Sequence, residues 1–483
     1  MVTHQPEQRN PLDEAGPVKQ SRPGLIRARL RRGLTQEQAA EQIGVSLCTW
    51  ARWERGTQNV RPYYRKALAE RWDAEPSEVD TWLQVTTCPA LTPCLEIAAA
   101  ETGLAEQMLH ASSVETARQL WRLEMDTSRR HLLVALPFVP AALGEWLLAW
   151  QFDEAPTAAR HVGKSVTVGM ADVQRVREAH HAFVRMDHQF GAGLVRPAVT
   201  DFMNTTLAPL LQGSASDHVR AELLSAAAQM TRTAGWMAFD LGHQGQAQAH
   251  FGQALNLAKH AGDDLTAAWI LATMAQQACD LGHGRWAVRL ASAAADAGIR
   301  ADAPPRAKAR LSLRLACAHS IRPADATAAT SDAKRMVTAH LSQTDKHFSR
   351  GTTDRDPVWV AHFGEAELAG EGGLCWRGAD EFQRGAIRQQ EAIAAFGTRY
   401  PRSILLTQIS VAEGYLGMGE IEAALDHARA AVTSAKDLTS TRATTQLHDF
   451  ATHLRPYHDN RHVQDFTDYL RTELANQPAP TVV

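Results

Sequence analysis

Arg52 and Arg55 follow Ser46, Leu47, Cys48 and Thr49 within the stretch Leu34–Gly56. Together these side chains suit recognition of a duplex. An arginine fork takes two acceptors on a guanine edge, worth about 1–3 kcal/mol of discrimination between bases. Gln36 stands where a helix begins and its first N–H groups lack partners, a place that attracts phosphate. The chemistry these residues offer is docking onto double-stranded DNA and reading it.

Such residues act only if a rigid element presents them. Thr35 predicts a helix N-cap, and Gln38 three residues later completes a capping box. Ala39, Ala40 and Ile43 form an apolar stripe at helical spacing, and Gly44 ends the helix where the chain takes positive φ. Val45 fills the turn and Ser46 caps a second helix. Trp50 and Trp53, at i and i+3, point inward. That leaves Leu47, Cys48, Thr49, Arg52 and Arg55 on or beside the outer face, as a helix entering a major groove requires.

Charge supports the placement. Residues 19–72 hold 12 Lys+Arg against 4 Asp+Glu, net +8, while the remainder holds 38 against 49, net −11. A basic head suits phosphate, and an acidic body suits solubility.

The stretch resembles the Xre, or lambda-repressor-like, helix-turn-helix family over roughly residues 24 to 84. The matching residues are Arg29, the run Thr35–Ala40, Gly44-Val45-Ser46, Arg52 and Trp53-Glu54-Arg55-Gly56. The resemblance implies that Gln36 touches phosphate, that Leu47, Cys48, Thr49 and Arg52 face bases, and that Arg29 pairs with Glu54. Leu47 and Cys48 replace the polar residues more usual there. Base reading then leans on Arg52, thymine methyl contacts and DNA shape. The head reads as five helices: one over about Leu25 to Arg32 precedes the two above, Pro62 opens a fourth running to Trp72, and Pro76 and Ser77 open a fifth ending near Gln84.

Other chemistries find little footing. Six scattered cysteines form no Cys-x-x-Cys pair. His180, His181 and His188 lie near Asp172 and Asp187 without a metal-ligand pattern, so no metal site and no cofactor are expected. Nucleophile-elbow, phosphate-loop and dinucleotide fingerprints are missing, and the chain reads as no enzyme. Gly370–Leu374 reads as a turn, and Asp356-Pro-Val-Trp359 as a helix start. The apolar run 131–150 is broken by Pro137, Pro140 and Gly144 and carries Glu145. It reads as a packing segment rather than a membrane span. With no signal peptide read at the N-terminus, a cytoplasmic, nucleoid-associated protein is expected.

Beyond the head, the chain reads as all-α. A polar arm covers 1–21, the head 22–85, a proline-bearing linker 86–94, a helical connector 95–215, helical repeats 216–475 and a loose tail 476–483. Asp240-Leu-Gly-His243 recurs forty residues later as Asp280-Leu-Gly-His283. Ala247, Phe251 and Ala254 follow the first copy, and Ala287, Ala291 and Ala294 the second. A later copy has Tyr415, then Ala424, Ala428 and Ala431. Apart from Phe251, the second-helix members are small residues whose spacing lets antiparallel helices approach closely, with Ala234-Gly235 on the facing helix. The pattern resembles tetratricopeptide repeats, with a unit about six residues longer than the standard one. That resemblance implies an α-solenoid with a groove lined by the first helix of each pair. By register Gln229, Arg232, Trp236 and Gln276 face it, where amide and guanidinium groups suit an extended peptide and the indole a flat apolar contact.

The layout is similar to a group of actinobacterial regulators, a likeness carried by Gly235–Gly242 and Asp356–Trp359. It implies a transcriptional regulator that binds an operator, expected to be an inverted repeat, as a homodimer. The groove would take a signalling peptide, small molecule or protein partner. The alternative is a tetratricopeptide-type adaptor whose head does not read DNA.

Overall fold

The structure, a computed structural model, describes most of residues 22–83, residues 114–126, most of 133–152, and residues 167–322, 328–397, 400–435 and 441–474. The arm, the linker, the tail, Thr35, Arg55 and the Cys48 side chain lie outside the described residues. The chain divides into two compact units, Met1–Gly103 and Leu104–Val483.

In the first unit, α1 (Gln36–Ile43) ends at Gly44, whose φ of +75° favours glycine, and α2 (Leu47–Glu54) follows after two residues. α3 (Pro62–Arg71) and α4 (Pro76–Trp82) both start on proline, where the missing N–H costs nothing. A domain this small buries little surface, so large aromatic rings supply much of its core. Trp50 packs 5.6 Å from Trp72 and 5.8 Å from Trp53, and Trp53 packs 5.2 Å from Tyr64. Buried Arg22 ties the unit's ends together by donating to the carbonyls of Leu83 (2.9 Å), Trp53 (2.9 Å) and Gln58 (2.7 Å).

Among the described residues the second unit is helical, with an isolated β-bridge between Thr167 and Ser214. It opens with α5 (Val114–Met125), α6 (Pro140–Phe152), α7 (Met170–Phe190), α8 (Ala192–Phe202) and α9 (Ala208–Gln212). Helical hairpins then follow one another: α10 (Asp217–Asp240) with α11 (Gln244–Ala261), α12 (Asp264–Asp280) with α13 (Gly284–Arg300), and α14 (Pro305–His319) with α15 (Ser331–Phe348). α16 (Glu365–Gly378) pairs with α17 (Phe382–Phe396), and α18 (Pro401–Gly417) with α19 (Ile421–Ala435), before α20 (Thr441–His453) and α21 (Arg461–Glu473). Each helix packs on its hairpin partner and on the next hairpin, as in an α-solenoid.

The forty-residue echo marks the turns of two consecutive hairpins. Gly242 and Gly282 take φ of +84° and +74°, and the N–H groups of His243 and His283 return to Ala238 and Ala278 at 2.9 and 2.8 Å. The helices here run 24, 18, 17 and 17 residues, so long helices rather than long loops lengthen the unit. Small residues set the closest approaches. A Cβ on Gly235 would lie 2.7 Å from the Phe251 ring, and one on Gly252 would lie 2.6 Å from the Trp146 ring.

The latter contact belongs to α6, the heart of the apolar run at 131–150. It buries Leu143 and Trp146 against the first hairpins, and Val139 exchanges two hydrogen bonds with the Gln248 amide (2.8 and 2.7 Å). No helix among the described residues is long and apolar enough to cross a membrane.

Two local expectations fail. Gly370–Leu374 is no turn but the interior of α16. The glycines are there for packing, since a Cβ on Gly373 would meet Gln389 at 2.4 Å and the Gly385 carbonyl at 2.7 Å. Asp356-Pro-Val-Trp359 starts no α-helix. It leads into one 3-10 turn, Val358–Val360, and α16 begins only at Glu365.

A buried carboxylate locks α5 to the array. Glu124 accepts from Arg196 (2.5 Å), Gln246 (2.6 Å) and Thr200 (3.1 Å), with His250 Nε2 at 2.6 Å. Burial alone would raise its pKa, but His250 and Arg196 outweigh burial and hold it at about 2.

Candidate functional site: a helix-turn-helix face and a polar cavity

The outer face of α2 stands on the buried Trp50 and Trp53. Ser46 caps the helix, its Oγ accepting the Thr49 N–H at 3.2 Å and lying 2.9 Å from Thr49 Oγ1. Leu47 is 42% exposed and Arg52 is exposed, so an apolar and a cationic side chain share the face with the two hydroxyls.

Behind that face Glu54 is a buried hub. It accepts from Arg29 Nε at 2.6 Å, from Trp50 Nε1 at 2.9 Å and from Gln36 Nε2 at 2.5 Å. Arg29 also donates to the Leu34 carbonyl at 2.8 Å, just ahead of α1. The Arg29–Glu54 pair therefore does more than neutralise charge. It fixes the first turn of α1, and Glu54 holds one N–H of the Gln36 amide, which still carries a second.

In the second unit a cavity of about 830 Å³ opens between the hairpins, and Gln229, Arg232, Trp236 and Gln276 all line it. All four are already engaged there. Gln229 donates weakly to Ser225 and Thr266 at 3.5 Å each, and Gln276 joins Asp280 (2.6 Å) with Arg314. Arg232 donates Nε to Thr273 Oγ1 at 3.0 Å and lies over the rings of Trp269 (4.6 Å) and Trp236 (5.3 Å).

Most other arginines on the wall have acidic partners. Arg310 and Arg314 converge on Glu371 at 2.5 and 3.0 Å. Arg402 spans Asp187 (3.1 Å) and Asp240 (3.2 Å), and Arg442 reaches Asp280 at 2.7 Å. These last contacts join α18 and α20 back to α7, α10 and α12. They also give a job to the aspartates of the two echo motifs. Glu367 sits beside Glu371, and burial and that second carboxylate raise it to about 7, against the pull of Arg310, Ser403 and Arg402.

Sequence reasoning missed Trp269, Trp359, Arg310, Glu371 and Arg402. A signal existed for some of them. Arg310 and Arg314 are four apart, as are Glu367 and Glu371, which puts each pair on one face of its helix. The pairing of Arg402 with Asp240, 162 residues away, leaves no local trace.

Residues 25–82 match the family described as helix-turn-helix domain, and this part of the chain forms one. A search of curated proteins finds no match to the chain. Among solved structures, the chain is similar to the crystal structure of a Rap protein complexed with competence and sporulation factor. Identity is 13%, covering 64% of this chain and 99% of that one, with a TM-score of 0.39.

Proposed function

We propose that the chain is a sequence-specific DNA-binding transcriptional regulator of the Xre kind, acting in the cytoplasm. The carrying observation is the α2 face, where Arg52, Thr49 and Leu47 project from a helix anchored by buried tryptophans inside a helix-turn-helix domain. Gln36, held by Glu54 at the start of α1, keeps an N–H for phosphate. One such head reads few base pairs, so two heads joined through the helical body would read an inverted repeat with multiplied affinity. The second unit supplies the sensor, its cavity receiving the signal that shifts the balance between two shapes of the repeat array. A signal acts only by its differential affinity for those shapes. The actinobacterial regulators to which the layout is similar support the same reading.

A gel-shift series with promoter fragments tests it. Arg52→Ala relaxes sequence preference by about 1–3 kcal/mol at one position, while Gln36→Ala weakens binding evenly across sequences. Failure of the wild-type chain to prefer any sequence over bulk DNA refutes the regulator. Sedimentation as a monomer well above the DNA dissociation constant refutes the dimer.

A further inference from the structure

We infer that the cavity takes an organic monoanion, its carboxylate paired with Arg232 and its apolar body laid against the tryptophan rings beside it. The inference rests on the sensing role proposed above and names the chemistry of the signal.

The argument begins with charge. Arg310, Arg314, Arg402 and Arg442 each hold a carboxylate within 3.2 Å. Arg232 has none within ion-pair distance among the described residues; its hydrogen-bond partner is a neutral hydroxyl. Burial weakens its hold on the proton, and Arg310 and Arg314 repel it further, opposed by Asp187. A guanidinium left in this state costs free energy that an anion would recover.

Hydrogen bonding agrees. The indole Nε1 of Trp359 and the Nε of Arg310 are buried and find no acceptor. Both residues share the wall with Arg232. Trp359 stacks on Trp269 at 4.7 Å with ring planes 3° apart, while Arg232 and Arg310 lie 4.6 and 5.7 Å over the Trp269 ring. One ring thus gathers two N–H groups that lack an acceptor, on Trp359 and Arg310, and the guanidinium of Arg232, whose partner is a hydroxyl. A carboxylate brings two acceptor oxygens in the plane that a guanidinium fork favours.

Valence and shape follow. Arg185, also on the wall, is exposed to solvent, which leaves Arg232 as the one desolvated cation to be matched by one negative charge. A dianion such as a phosphate ester would carry its second charge into a cavity that Glu367 and Glu371 already line. Trp236 and Trp359, both half-buried on the same wall, provide for an apolar body.

The test uses four mixtures in equilibrium dialysis with the full chain, read by mass spectrometry. They are aryl and alkyl carboxylic acids, the matching primary amides, hexapeptides with free carboxyl ends, and the same peptides amidated. Acids from the small-molecule or the peptide arm are expected to be retained at least about tenfold over their amides, and the arm that binds identifies the source. Arg232→Met removes the preference and leaves the melting temperature of the unliganded chain unchanged or raised. Arg232→Lys keeps a weaker preference. Equal retention of acids and amides, an undiminished preference in Arg232→Met, no retention from any mixture, or a marked fall in its melting temperature overturns the inference. Gel shifts with the unliganded chain score the DNA-binding proposal separately, so either idea can fail alone.

Discussion

Replacing Glu54 by alanine tests whether the buried hub, rather than the exposed face alone, governs the head. The change removes the acceptor for Arg29 at 2.6 Å, for Trp50 Nε1 at 2.9 Å and for Gln36 at 2.5 Å. Arg29 is left buried without its partner, a loss worth about 3–5 kcal/mol. A domain of this size has a stability near the low end of about 5–15 kcal/mol, so most of its margin disappears. Hydrogen exchange read by mass spectrometry reports this as protection. Amides of α1 and α2 are expected to exchange about two to three and a half orders of magnitude faster, while α10–α13 in the other unit stay unchanged. A companion variant, Arg29→Met with Glu54→Leu, removes both charges and should recover much of the loss, because apolar pairs of similar volume often equal a buried ion pair. Exchange in Glu54→Ala within a few-fold of wild type would refute the reasoning.

Other outcomes follow from the second unit. Glu367 is raised from 4.5 to about 7, so the folded chain keeps a proton that the unfolded chain releases. Its favourable contribution is complete below about pH 4.5 and is lost as pH rises through 7, up to about 3 kcal/mol. Urea midpoints of Glu367→Gln should fall less between pH 5 and 8 than those of wild type; an identical slope contradicts the assignment. Glu124 has the opposite sign. Its pKa is lowered from 4.5 to about 2, so its contribution is present above pH 4.5 and fades as pH falls toward 2. Glu124→Gln should lower neutral-pH stability by about 3 kcal/mol and flatten that acid limb in circular-dichroism titrations. Gly373→Ala would gain about 1 kcal/mol in an open helix. Against Gln389 and the Gly385 carbonyl it should instead lower the melting temperature.

Local rules carried much of the architecture. Gly44 at +75° φ, Ser46 as a cap, Pro62 and Pro76 as helix openers and the inward tryptophans were all legible, because each answers to a constraint within one turn of chain. The echo at Asp240 and Asp280 gave the hairpin period, since left-handed glycines and close-packed alanines leave a sequence pattern. Glycines at 370–373 misled for the same reason. A sequence does not distinguish a glycine needed for its backbone freedom from one needed for its missing Cβ, and here the neighbouring helix decided. The cavity was legible only in part. Register placed Gln229, Arg232, Trp236 and Gln276 on its wall, but the charge balance that isolates Arg232 depends on pairings between residues 57 to 215 positions apart.

Arg402 and Arg442 reach helices lying 162 residues earlier in the chain, and this makes the cavity a clasped chamber. For the proposed signal, the clasp would hold the far end of the array against the near one around the guest. The Arg402 fastening is buried and little affected by salt, whereas the more accessible Arg442 fastening is screened more readily. Loosening either fastening, two cations against three aspartates, would let the ends of the array part, with ionic strength acting first at Arg442.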